Sequence, residues 1–342
     1  MKRIVLVIVS CLLFLCSCSA NATYKNHETI NMNYNNITNY CDVWLTSDSI
    51  CYLEHSIGQK YYMVDNTSKT KISENGGYGF GMIRRYDDNI YMLNETSSID
   101  EYNSEFELVC YDVNTKNTEK LCSVKNCDNF LVLHKTVYYL EYNLNNEYRV
   151  LTLKKIPVNS KQDIVIASNV VSFGVIDNCL YYIAEDNGTL SVMKYNAEND
   201  DTVECGDISI DGFDIKNGDT LKASFTADCI YLLKIDYTRA KTRIFKYSFE
   251  QDTLSDNAVD GYIDSFASYD ANSYFIVSSE KSDNSKLYML NNKTDEATKI
   301  ADVLGEGSLF VGSDDGVYVL RQHNNSVVFY SNDGTSQVVY RF

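Results

Sequence analysis

The chain has 342 residues, with 30 basic against 47 acidic side chains, a formal net charge of −17, and 44% hydrophobic and 13% aromatic residues. That hydrophobic share excludes an intrinsically disordered tail. The acidity excludes a protein whose main task is to grip nucleic acid or an anionic membrane face, because both repel it, so no nucleic-acid partner is expected. The length allows one large repeat domain or two ordinary ones.

The N-terminus carries an address. Lys2 and Arg3 precede an apolar run from Ile4 to Leu15. A stable membrane span needs ~20 apolar residues, so this shorter run reads as a secretory signal. The next residues, Leu15-Cys16-Ser17-Cys18, resemble the lipobox of bacterial lipoproteins: Leu three residues before the cut, a small residue just before it, Cys just after. The resemblance implies that residues 1–18 form a lipoprotein signal and that Cys18 is lipidated. The protein would then be anchored through Cys18 to the outer face of the cell membrane. Two acyl chains hold stably where one does not. The competing reading is a simple secretory signal cut near Ala20 or Ala22. Cleavage at Cys18 removes two basic and no acidic side chains, leaving a still more acidic body.

Residues 19–40 are polar, rich in Asn and Thr, and lack a hydrophobic period. They read as a tether whose reach is on the order of 25 Å, from roughly 5–6 Å times the square root of its length; the alternative is that its end adds a strand to the folded domain.

From residue 41 onward, period-two alternation of Tyr, Val, Ile and Phe is broken every few residues by Asn, Asp, Gly and Ser, which is an all-β pattern. A phrase recurs: a turn residue, a short apolar residue, then Tyr and further apolar residues. Its copies are Ile50-Cys51-Tyr52-Leu53, Asn89-Ile90-Tyr91-Met92, Thr136-Val137-Tyr138-Tyr139, Cys179-Leu180-Tyr181-Tyr182, Cys229-Ile230-Tyr231-Leu232, Asn272-Ser273-Tyr274-Phe275 and Gly316-Val317-Tyr318-Val319. The key tyrosines lie 39, 47, 43, 50, 43 and 44 residues apart. Repeats of ~40–50 residues mark propeller blades. Each copy holds a first apolar segment, the tyrosine phrase, a third strand such as Lys286–Leu290, a turn such as Asp65-Asn66-Thr67-Ser68, Asp112-Val113-Asn114-Thr115 or Asn332-Asp333-Gly334-Thr335, and a last strand such as Ala297–Ile300. Four antiparallel strands in each of seven units predict a seven-bladed β-propeller over 41–342. A β-sandwich pair would not explain the even spacing, and a solenoid would need shorter repeats. Most tyrosines read as packing between blades, with an apolar body and a polar tip.

At the tyrosine phrase, Val137-Tyr138-Tyr139-Leu140-Glu141 most clearly, the chain resembles the YWTD-type propellers of lipoprotein receptors. It is also similar to secreted bacterial propellers of the YVTN and TolB-like kind. Tyr, Met or Leu replaces the Trp of the YWTD strand, the Thr-Asp pair is missing, and seven units stand where YWTD domains have six. The resemblance therefore carries the fold further than any function.

Cys179 and Cys229 share one repeat position, with Cys51 one step away, and are expected as small buried hydrophobes on separate blades. Cys122 and Cys127 form the best local disulfide candidate. No zinc-like spacing joins the cysteines to the four histidines. Gly76-Gly77-Tyr78-Gly79-Phe80-Gly81 misses a dinucleotide-binding spacing and reads as a blade crossing. A calcium loop starting at Asp207 has Gly218 where the closing Glu belongs. The marks of phosphate loops, hydrolase elbows and zinc peptidases are absent. No metal and no cofactor is expected.

Propellers bind at the ends of the central channel, near the innermost strands. The residues there that suit a ligand are Trp44, Arg84, Arg85, His134 and Tyr269. Trp44 would stack on a sugar or cap a peptide, and Arg84 or Arg85 would clamp a carboxylate with two parallel bonds. Alternation sends only one of the two arginines toward the channel. The plainer reading has these residues closing the channel or forming blade edges. With no catalytic signature, the expectation is a non-enzymatic, membrane-anchored recognition protein, a monomer whose ligand is a protein, peptide or glycan. The alternative is an extracytoplasmic hydrolase acting on cell-wall glycan or peptide through a carboxylate site in the channel. A secreted eukaryotic glycoprotein, suggested by Asn36-Ile-Thr38, Asn94-Glu-Thr96 and Asn187-Gly-Thr189, fits the lipobox less well.

Overall fold

Alternating apolar residues bounded by turn-forming polar clusters build strands throughout the computed structural model. It describes residues 43–54, 60–74, 81–98, 103–145, 148–158, 160, 162–211, 213, 220–236, 239–269, 271–279, 282–304, 307–313, 315–321 and 326–341. The signal at 1–18 with Cys18, the tether at 19–40 and the glycines at 76–79 lie outside these residues. Every described element is a strand, and the strands form seven four-stranded antiparallel sheets, each from four consecutive strands. The chain is a seven-bladed β-propeller. Its blades occupy 43–74, 81–125, 127–168, 170–208, 220–260, 262–304 and 307–341. The seven tyrosine phrases fall in the second strands of the seven blades.

The core lies between blades, not within one central mass. Separate clusters of buried side chains join blades 2 and 3, 3 and 4, 4 and 5, 5 and 6, and 6 and 7. One larger cluster spans blades 1, 2 and 7: Trp44, Tyr52 and Met63 pack there with Ile83 and Met92, and with Tyr318, Val327 and Tyr340. That cluster closes the ring. Among the described residues no strand of the last blade enters the sheet of the first, and the two blades meet through side chains.

Tyrosine supplies much of this packing. Tyr52, Tyr91, Tyr138, Tyr231, Tyr274 and Tyr318 are buried, while Tyr181 is half-buried. Several hydroxyls reach across to the next blade. Tyr61 donates to the carbonyl of Leu93 at 2.9 Å, Tyr231 to Oδ1 of Asn292 at 2.9 Å, and Tyr274 to Oδ1 of Asn332 at 3.0 Å. An ammonium does the same between blades 3 and 4, where Lys155 donates to the Tyr195 hydroxyl at 2.8 Å and pairs with Asp200.

Turns repeat as the strands do. Between third and fourth strands, the first residue's side chain caps the turn. Asp65 Oδ1 accepts from the backbone of Thr67 and Ser68, Asp112 Oδ1 from Asn114 and Thr115, and Asn291 Oδ1 from Lys293 and Thr294. A backbone bond then ties this turn to the turn between first and second strands of the same blade, as in Val113 to Asp88, Phe249 to Asp228, Asn292 to Ala271 and Asn332 to Asp315. Both turn families therefore lie on one face of the ring. Cys122 and Cys127, the best local disulfide candidate, are free thiols.

Candidate functional site

The innermost strands of the first three blades are Val43–Leu45, Gly81–Tyr86 and Cys127–Leu133. In the second of these, alternation divides the two arginines. Ile83 joins the core shared with blade 1. Arg85 points the same way: its guanidinium donates to Asp48 at 2.9 Å, to the Thr46 hydroxyl at 3.2 Å and to Ser49. Partial burial opposes ionisation of Asp48, but the Thr46 hydroxyl and the Arg85 charge outweigh it and hold the carboxyl below its usual value. Arg85 is thus a staple between blades 1 and 2.

Arg84 leaves the strand on the opposite side. Its NH1 group donates to the carbonyl of Ile83 at 2.9 Å, and NH2 donates to Oδ1 of Asn129, on blade 3, at 3.0 Å. The guanidinium carbon lies 5.5 Å from the Trp44 ring of blade 1 and 5.7 Å from the Phe130 ring of blade 3. The group therefore bridges three consecutive innermost strands. It is only 5% exposed, and its Nε is buried without a hydrogen-bond partner. Among the described residues no carboxylate pairs with it. A buried charge normally demands a counter-charge, since desolvating an ion costs several kcal/mol. A carbonyl, an amide oxygen and two aromatic faces offset only part of that cost.

The remaining channel candidates stand apart from this group. Trp44 is brought to Arg84, but at 1% exposure its ring is spent on packing and is closed to a sugar face. His134 is exposed in the turn after the innermost strand of blade 3, with φ 49°. Tyr269 is half-buried beside the first turn of blade 6, where its backbone carbonyl accepts from the side-chain amide of Asn292 at 2.8 Å. Asn129 and Phe130 were not among the sequence candidates. Aligning the first segments of the repeats on the turns that follow them would have set Phe130 within one position of Arg84's place in its own blade.

Among the described residues, the carboxyl groups that the fold shifts move down. Lys154 hydrogen-bonds Asp163 and Lys155 hydrogen-bonds Asp200, each lowering its partner. A general acid needs the opposite shift. Among the described residues no three His, Cys, Asp or Glu groups gather as metal ligands.

No family model and no curated protein matches the chain. Solved structures do. A prolyl endopeptidase structure aligns with 90% of this chain at a TM-score of 0.56 and 10% identity, and Pyrococcus horikoshii acylaminoacyl peptidase with 92% at 0.55 and 10%. The chain spans about half the length of these peptidases, 50% and 54%. Oligogalacturonate lyase from Vibrio parahaemolyticus aligns with 93% of this chain and 89% of its own, at a TM-score of 0.50 and 12% identity. At these identities the likeness is one of fold. It overturns the expectation of a non-enzyme. That expectation rested on the absence of catalytic motifs, yet the same propeller recurs in two peptidases and a lyase. A propeller repeat encodes packing, so motif absence in it says little about chemistry nearby.

Proposed function

We propose that the protein is an extracytoplasmic hydrolase acting on peptide or glycan of the cell wall, with the propeller channel as its substrate-binding end. Anchorage through a lipidated Cys18, followed by the polar tether at 19–40, would hold the propeller at the outer face of the membrane. One observation carries the binding reading: a guanidinium on the innermost strands, 95% removed from solvent, without a carboxylate partner among the described residues. Folds rarely leave a buried cation uncompensated unless an anion arrives to complete it. The lowered carboxyls are all occupied in turns or ion pairs, whereas Arg84 keeps unspent bonding capacity on the innermost strands. The likeness to two peptidases and a lyase supports bond-breaking chemistry over passive retention.

The decisive experiment incubates the full chain, in nonionic detergent, with cell-wall fragments and with a peptide mixture, and follows both by mass spectrometry. New cleavage products that need intact protein are expected. Retention of material without any product would overturn the hydrolase reading.

A further inference from the structure

We infer that the Arg84 site recognises the free carboxylate at the end of a peptide, an inference that takes the peptide branch of the hydrolase reading and narrows it to chain ends. A guanidinium carries five N–H donors. Ile83 and Asn129 take one each, from different terminal nitrogens. Each terminal nitrogen therefore keeps one N–H to offer a carboxylate oxygen, the kind of partner that arginine favours. The Nε edge is buried, so approach along that side is closed.

Access sets the shape of the ligand. With only 5% of Arg84 exposed, a ligand that pairs with it must offer a small group at the end of a chain rather than the middle of a polymer. Around it stand the rings of Trp44 and Phe130, with Asn129 as the one polar side chain bonded to the guanidinium among the described residues. A sugar ring asks for many hydrogen bonds and finds few here. An apolar residue ending in a carboxylate finds both a counter-charge and a hydrophobic surround. Long-range charge points the same way. A body with a net charge of −17 repels a polyanion such as a polyuronate far more than a peptide with one terminal charge.

The test measures binding of N-acetyl-alanyl-leucine as free acid and as C-terminal amide, with digalacturonate as a third probe, to the full chain in nonionic detergent. The acid should bind about tenfold or more tightly than the amide, the scale of losing one charge-assisted pair. Arg84→Met should erase that preference, and Arg84→Lys, which keeps charge but loses the planar fork, should restore part of it. Equal binding of acid and amide by the unaltered protein, tighter binding of digalacturonate, or binding of none of the probes overturns the proposal, and none of these outcomes depends on a variant folding. Turnover separates this inference from the reading beneath it. An intact acid preference without any cleavage removes the hydrolase and keeps the carboxylate site. Cleavage of acid and amide peptides alike does the reverse.

Discussion

The hydroxyl of Tyr274 shares its one hydrogen between Asn332 Oδ1 and the carbonyl of Ser313, both on the next blade, while its ring lies buried between sheets. One side chain thus provides apolar area and a directional bond. Phenylalanine would keep the area and lose the bond, leaving buried acceptors short of a donor. Tyr274→Phe is expected to cost about 1–2 kcal/mol, read as a lower urea midpoint with an unchanged slope. An unchanged midpoint would mean that the hydroxyl contributes nothing to holding the blades. The tyrosine role was legible in the sequence because the residue recurs at one position of a repeat. Arg84 was legible only as a candidate. What sets it apart from Arg85 is the lack of a carboxylate partner, and partners such as Asp48 come from another blade, where sequence spacing gives no guide.

At the scale of elements, the turn between third and fourth strands links sequence to pH behaviour. Asp112 accepts backbone bonds from Thr115 and Asn114, the former weighing most, and its carboxyl is held below the usual 3.8. A carboxyl whose folded value is depressed contributes stability above its ordinary value and loses it as pH falls through the folded one. Acid should therefore weaken the native state below about pH 4. Asp112→Asn keeps an acceptor in the turn without a titrating proton, as Asn291 already does in blade 6. The variant should lose less stability on acidification than the unaltered protein, checked by urea unfolding at several acidic pH values. Parallel slopes would show that this turn is not part of the acid response. These turns could be read from Asx residues at fixed offsets because the side chain bonds its own neighbourhood. The local candidate pair, Cys122 and Cys127, is not bridged; both are free thiols.

Across the whole molecule, regular spacing made the blade number readable, but ring closure was not. Closure depends on which faces of blades 1 and 7 meet, and no repeat position encodes that. In the structure Tyr340 meets Tyr52 with ring centroids 5.9 Å apart, inside the cluster that also holds Trp44 and Ile83. Tyr340→Ala should cost about 3–5 kcal/mol, the range for deleting a large buried ring, and should raise binding of a hydrophobic dye before global unfolding. A loss no larger than that of an exposed residue would show that the ring does not depend on this contact. Among the described residues the seam between last and first blades has the same character as the other six: side chains meet, and no hydrogen-bonded ladder crosses. Each sheet is therefore a self-contained cassette. Duplicating or deleting one unit of the gene would break no sheet and would change only the angle that each wedge must fill, a route by which such a chain can drift in blade number while its individual blades stay intact.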